Sequence, residues 1–297
     1  MAVKDFLVLL AVCFVWAANT IISKIVLSDF AVPPLFYTAG RMVVVAAVTL
    51  PWLLPAPRPL WRVMVVALLM GALNFGLSFI GLSTTTPSAN AIVGQLGAPL
   101  ATLLSILILG ERIGWRRGLG VLLAFAGVLA VMWNGKALAV TPGLLWVAGS
   151  AAASALGAVL MKQIAGVKPL QFQAWVGFTS ILPLALASGL TEHGQAASVV
   201  HAPLVFLAGV LFSALVVSVG AHTTYYWLIQ RYEGTLLQPL TLISTLMTIA
   251  LGVAITKDPF GARMAVGTVL ALAGVLIIAL RPNRAAPRLL AHRNRAF

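Results

Sequence analysis

Charge is what this sequence lacks most. Only 8% of its 297 residues are Asp, Glu, Lys or Arg, where soluble domains carry about 25%. With 61% hydrophobic residues and a mean hydropathy of +1.04, there is too little polar surface to cover a water-soluble globule. A soluble fold is excluded and an integral membrane protein is expected. Acids are scarcest of all. The six carboxylates, Asp5, Asp29, Glu111, Glu192, Glu233 and Asp258, all fall at the ends of apolar runs or between them. Proton-driven pumps and multidrug antiporters usually hold an acid in midmembrane, where protonation can be tied to cargo. Were the chain a transporter, that absence would leave coupling through His222 or facilitative transport, the second favoured, and would remove the partner a cationic drug needs. Cys13 stands alone, which excludes a disulfide framework and a Cys metal site. His193, His201 and His292 lie in a loop and the tail without ligand spacing, so no metal and no cofactor is expected. Paired acids, a Ser/His arrangement and a metal cluster are all missing, so no catalytic residues are assigned.

What is present is apolar sequence in long runs. A helix needs about 20 mostly apolar residues to cross the hydrocarbon core. Ten such runs can be read, near 5–27, 34–54, 61–82, 87–109, 115–134, 142–164, 169–190, 203–230, 234–255 and 260–281. The breaks between them carry Pro, Gly, Asn or charge, as in PAPRP at 55–59. The first run continues past Asn19 and Lys24 to Leu27, which favours a retained helix over a cleaved signal peptide. The net charge of +13 sits at run ends and in the tail, with no basic groove or aromatic platform for nucleic acid; anionic lipid headgroups are the expected partners. With the N-terminus inside, 14 of the 19 Lys and Arg fall on the inner side and three, Lys136, Lys257 and Arg263, on the outer. That bias places both termini in the cytoplasm. Trp52, Trp61, Trp115, Trp133 and Trp146 lie near run ends, as an interfacial belt would.

The decapeptide GVLLAFAGVL at 120–129 returns as GTVLALAGVL at 267–276. Glu111 lies nine residues before Gly120, Asp258 nine before Gly267, and Lys24 near the end of run 1 is echoed by Lys162 near the end of run 6. The fold class expected is therefore all-α, with ten transmembrane helices as two five-helix repeats. The boundaries are 1–134 and 135–281, followed by a basic cytoplasmic tail, 282–297. Five is odd, so the second unit enters the membrane inverted, an arrangement of transporters whose site lies between the repeats. Gly120, Ala124 and Gly127 share one helical face, as do Gly267, Ala271 and Gly274. Small residues so spaced allow close helix packing.

Residues along the whole chain resemble the EamA type of the drug/metabolite transporter superfamily, its ten-helix branch. They are Trp16, Asn19 and Lys24 in VWAANTIISK, Phe36 and Arg41 in PPLFYTAGR, Pro99, the LGER of Leu109 to Arg112, and the repeated decapeptide. One departure is that Pro239 sits 19 residues before Asp258, whereas Pro99 sits 12 before Glu111. The resemblance implies an inner-membrane exporter of amino acids and other small metabolites, YddG-like exporters among its kin. It implies alternating access and no bound cofactor.

A polar side chain inside a bilayer costs free energy unless it finds a partner or lines a wet cavity. On that ground the candidate substrate-binding residues are Asn19, Asn74, Ser78, Asn90, Gln95, Trp175, His222 and Tyr226. Gly94, Gly97, Pro99 and Pro239 are the candidate hinges. The competing expectation is that the same amides glue helices together and that His222 is a buried structural histidine. Lys24 and Arg41 can snorkel to headgroups or pack; facing a cavity, either would meet a substrate carboxylate. Glu111, Arg112 and Asp258 are read as loop anchors. The function expected is export of small polar metabolites, with amino acids, aromatic ones included, as the favoured class. Alternatives are an organic-phosphate, nucleotide-sugar or drug carrier of the same superfamily and, more distantly, a membrane enzyme or a scaffold. The oligomeric state is open, and a monomer is compatible with the sequence.

Overall fold

The structure, a computed structural model, describes residues 1–133, 141–164, 166–232 and 234–280. Within these, the side chains of Tyr226, Ile229, Gln230, 234–236, Gln238 and Pro239 are not described. The tail 282–297 lies outside the described residues. Among the described residues nine helices are long and apolar enough to cross a membrane, and a further one carries the shorter apolar stretch Leu240–Thr256. They are α1 (Val3–Ser28), α2 (Pro34–Trp52), α3 (Leu60–Thr84), α4 (Pro87–Leu109), α5 (Trp115–Met132), α6 (Pro142–Met161) and α7 (Pro169–Thr191). There follow α8 (Pro203–Tyr225, helical to Arg231), α9 (Gly234–Leu251, prolonged by Gly252–Thr256) and α10 (Ala262–Leu280). Many large apolar side chains face outward, Leu107, Leu190 and Leu204 among them. That suits a lipid solvent and would be ruinous in water.

Local chemistry sets the helix starts. Proline occupies the first turn of α2, α4, α6, α7 and α8, where its missing N–H would have lacked a helical partner anyway. Thr86 caps α4 by accepting from Ala89 N at 3.2 Å, and Thr141 caps α6 by accepting from Leu144 N at 3.3 Å. Two acids from distant loops cap as well. Glu192, just beyond α7, accepts from the backbone N–H of Leu35 (2.7 Å) and Phe36 (2.9 Å) at the start of α2. Asp258, beyond α9, accepts from Ser88 N (2.8 Å) and Ser88 Oγ (2.5 Å) at the start of α4. A carboxylate at a helix N-terminus meets both unpaired N–H groups and the positive end of the dipole. Gly110, at φ 63°, ends α4 in the left-handed conformation that glycine adopts without strain.

These end-to-end contacts also trace the path through the membrane. Asp5 at the start of α1 accepts from Tyr232 Oη at 2.7 Å beyond α8, Gln171 at the start of α7 reaches Pro55 O at 2.7 Å, and Lys162 after α6 pairs with Glu111 after α4 at 3.2 Å. All six ends share the face at which α1 begins. Glu192 with α2, Asp258 with α4, and Lys24 with the end of α3 meet at the opposite face. Consecutive helices therefore alternate in direction, and α6 starts on the face where α1 ends. The second five helices run opposite in sense to the first five.

The repeated decapeptides are each other's partners. A Cβ on Gly127 would stand 2.6 Å from the Gly267 carbonyl oxygen, and one on Gly274 would stand 2.6 Å from that of Gly120. Gly127 likewise abuts Ala271 and Gly274 abuts Ala124. Equivalent residues thus face one another in reverse order, so α5 and α10 cross antiparallel, backbone against backbone, with Ala124 and Ala271 at the centre.

Three helices carry π-helical turns: Leu69–Leu73 in α3, Phe212–Ala221 in α8 and Gly252–Thr256 ending α9. Such turns widen a helix and concentrate at functional sites. In addition α4 is broken into Pro87–Gly94 and Gly97–Leu109. Pro99 explains the break: it has no N–H for the Gln95 carbonyl four residues earlier, and its ring crowds that carbonyl. The Gln95 carbonyl accepts from Ala98 N at 3.3 Å instead.

Candidate functional site

Among the described residues, two cavities between the helices stand out, and they share no lining residue. The first, about 410 Å³, is lined by Trp16, Asn19 and Thr20 of α1, Arg41 of α2, Met70, Phe75, Ser78, Phe79 and Leu82 of α3, Asn90 of α4, and Val217, His222 and Tyr225 of α8. The second, about 330 Å³, is walled by Gln95, Ala98, Ala101, Thr102 and Ser105 of α4, with Arg117, Lys162, Thr241 and aliphatic residues of α6, α9 and α10.

The first cavity is aromatic. Trp16 lies 5.4 Å from His222 and 5.2 Å from Tyr225, ring centre to ring centre, and Phe75 lies 6.3 Å from His222. The π-helical stretch of α8 organises its polar side. Two side chains there bond to a carbonyl five residues back: Ser218 Oγ donates to Ser213 O at 3.0 Å, and His222 Nδ1 donates to Val217 O at 2.9 Å. With Nδ1 carrying the proton, a neutral ring offers Nε2 as an acceptor. Ser213 Oγ donates to Asn19 Oδ1 at 2.6 Å and meets Tyr37 Oη at 2.9 Å, tying α8 to α1 and α2. Asn90 Nδ2 donates to Ser78 O at 3.4 Å, across α4 and α3.

Arg41 is fully buried in this wall. Its Nε donates to Ser218 Oγ at 3.0 Å, and its guanidinium carbon lies 4.2 Å from the centre of the Phe75 ring and 5.8 Å from that of Phe79. Lys24, by contrast, turns away: its ammonium donates to Leu82 O (3.0 Å) and Ser83 O (3.1 Å), carbonyls left open by the end of α3.

Of the candidate residues, Asn19, Ser78, Asn90 and His222 meet in the aromatic cavity. Asn74 does not line it; its Oδ1 accepts from Ser150 Oγ at 2.9 Å, joining α3 to α6. Gln95 lines the second cavity, and its amide nitrogen is hydrogen-bonded to Thr245 Oγ1 of α9. Trp175 packs in an apolar cluster with Met42, Val63, Val66 and Phe172, among α2, α3 and α7. The Tyr226 and Pro239 side chains lie outside the described residues. Gly94 and Gly97 flank the break in α4, and Pro99 follows it. Arg41 and the aromatic residues Trp16 and Tyr225 join them in the lining. A lone arginine inside an apolar run was the available signal for the first of these.

The sequence matches a known family twice over. Residues 4–133 and again 141–280 match the EamA-like transporter family. The chain belongs to that family. Among curated relatives, this EamA-like protein is 25% identical over 287 residues to a "Probable amino-acid metabolite efflux pump" of Salmonella typhimurium, covering 93% of this chain and 95% of the relative. It is 25% identical over 288 residues, with the same coverages, to the Escherichia coli protein of that name. It is also 24% identical over 286 residues to the "Uncharacterized transporter YvbV" of Bacillus subtilis, covering 93% and 91%. A crystal structure 20% identical in sequence superposes with a TM-score of 0.62 over 99% of both chains, which shows a shared fold. The EamA-like chain is thus a multi-pass membrane transporter.

Proposed function

We propose that this transporter exports small polar metabolites, amino acids first among them, across a bacterial inner membrane with both termini in the cytoplasm. Residues 1–134 and 135–281 act as inverted halves that alternate access to a site between them. The observation that carries the reading is the aromatic cavity itself. It combines amides, hydroxyls, a buried arginine and rings in tilted and edge-on contact in about 410 Å³, within the range of roughly 300–1,000 Å³ typical of small-molecule sites. Amides and hydroxyls suit a zwitterionic backbone, and rings suit an apolar or aromatic side chain. Two relatives carry the name of amino-acid metabolite efflux pumps, which supports outward transport. No carboxylate lines the cavity among the described residues, so transport follows the substrate gradient without a proton. The breaks at Gly94–Gly97 and Pro99 serve as the bend in α4, and Pro239 as its counterpart in α9.

Proteoliposomes loaded with labelled amino acids test this. Efflux down the gradient is expected, and collapsing a pH gradient with ionophore should leave its rate unchanged. Absence of flux for a full amino-acid panel removes the reading; a strict proton requirement removes its facilitative part.

A further inference from the structure

We infer that Arg41 is the carboxylate anchor of the cargo site, so that the molecules carried bear a free carboxylate, alone or as part of a zwitterion. This rests on the transport reading for the cavity's occupant and goes further in naming the ligand group.

Arg41 is buried to completion, and neither of its terminal nitrogens has a hydrogen-bond partner among the described residues. Its orientation is nonetheless fixed. Ser218 Oγ gives its own proton to Ser213 O and accepts from Arg41 Nε, so one edge of the guanidinium is held by α8. The remaining edge carries four N–H donors on the two terminal nitrogens, in a residue that lines the aromatic cavity. Phe75 lies against the ring plane at 4.2 Å. A π face stabilises the charge, yet it does not accept hydrogen bonds from an edge it does not meet.

No fixed counter-ion is at hand. Asp5, Glu111, Glu192 and Asp258 are engaged at helix ends, Asp29 closes α1 at the far face, and Glu233 lies outside the described residues. A buried cation without a partner is costly, and removing donors from water without acceptors adds to that cost. A second group in the lining has the same need: the Trp16 indole N–H is buried without an acceptor. Both unmet groups of this cavity are therefore donors, and one is charged. What satisfies them is an anionic acceptor, and two coplanar oxygens match the planar guanidinium fork. In the same lining, Asn90 and the rings of Trp16 and Tyr225 offer an amide and π faces to an ammonium group and an apolar side chain.

The test is equilibrium binding to the purified full chain with matched ligands: phenylalanine, leucine and threonine, each against its amide, plus 3-phenylpropionate and phenethylamine. Wild-type protein should bind the acids about 30-fold or more tighter than the amides, and phenylpropionate tighter than phenethylamine. Arg41→Gln should erase that preference while leaving the weak binding of amides within about threefold. Arg41→Lys should restore part of it. Trp16→Phe, which keeps a ring and removes the N–H, should weaken acids several-fold more than amides. Phe75→Leu leaves the arginine in place and carries the test should Arg41→Gln fail to insert; loss of its cover should tighten acids relative to amides. Equal affinity for acid and amide in wild type, absence of binding by every acid, or an unchanged acid preference in both Arg41→Gln and Phe75→Leu overturns the anchor. Flux of a carboxylate-free metabolite sinks the anchor and spares the exporter. Acid-selective, Arg41-dependent binding without any flux does the reverse.

Discussion

The two cavities are cut into the same bundle yet differ in kind. One is walled by rings, amides and a fully buried arginine; the other by alanines, aliphatic residues and hydroxyls, with Arg117 and Lys162 at its rim. Their basic residues differ accordingly. Arg41 is locked by Ser218 inside the bundle, whereas Lys162 has a side chain 54% exposed and an ion pair with Glu111. A charge that lipid and protein deny to water must be met by a ligand or a fixed partner, while an exposed one is met by solvent. On the proposed function, the aromatic cavity is the one equipped to recognise cargo. Between the two cavities, the Gln95–Thr245 hydrogen bond joins α4 to α9 at the break in α4.

The comparison can be broken at several points. The largest effect should come from Gly127→Leu. Its side chain would run into the backbone of α10, which also walls the aliphatic cavity. Overpacking costs about 1–3 kcal/mol even where side chains can yield, and here only backbone stands in the way. No monodisperse protein is expected on fluorescence-detected gel filtration, whereas Gly94→Ala, whose Cβ would meet nothing within 4 Å, should fold normally.

Next in size, Asn90→Leu should lower amino-acid affinity about tenfold, the scale of one lost hydrogen bond of about 1.5 kcal/mol. Ala101→Leu, in the aliphatic cavity, should instead slow flux with affinity preserved. If the two variants exchange these phenotypes, the cargo site belongs to the second cavity.

A smaller effect is expected where the cavities meet. In a double-mutant cycle, Gln95→Leu and Thr245→Val should show a coupling of about 0.5–1.5 kcal/mol in thermal unfolding. Strict additivity would show that the bond does not join the two helices energetically. Smallest of all, Glu111→Gln should shift stability by less than about 1 kcal/mol, and the shift should fade as salt is raised from low to physiological strength.

How far the sequence reaches depends on which physical signal each feature sends. The helices and their opposed sense follow from lengths of apolar run and from an odd number of spans, and the glycine spacing marks the α5–α10 contact. Asn19, Ser78, Asn90 and His222 show themselves because polar groups are expensive in hydrocarbon. Asn74 sends the same signal, yet an amide is satisfied equally by a neighbouring helix, and Ser150 does so. Periodicity could not separate the two cases, because the π-helical turn at Leu69–Leu73 directly precedes Asn74. One surplus residue turns everything after it by about 100° around the helix axis. Trp175 lies in an apolar cluster for a related reason: an indole in a span is as much at home in a packed core as in a cavity. Arg41 is conspicuous in the sequence, but only the fold reveals that Ser218, 177 positions away, holds it.

Where α5 crosses α10, each decapeptide touches its own counterpart in mirror-ordered register. Interchanging the roles of the two halves maps that crossing onto itself. If the two halves exchange roles during transport, as proposed, this crossing contributes almost equally to both states, because seven of its ten positions are identical. The bias must come from groups whose counterparts are differently engaged. Lys24, resting on carbonyls, and Lys162, resting on an acid, form such a mismatched pair.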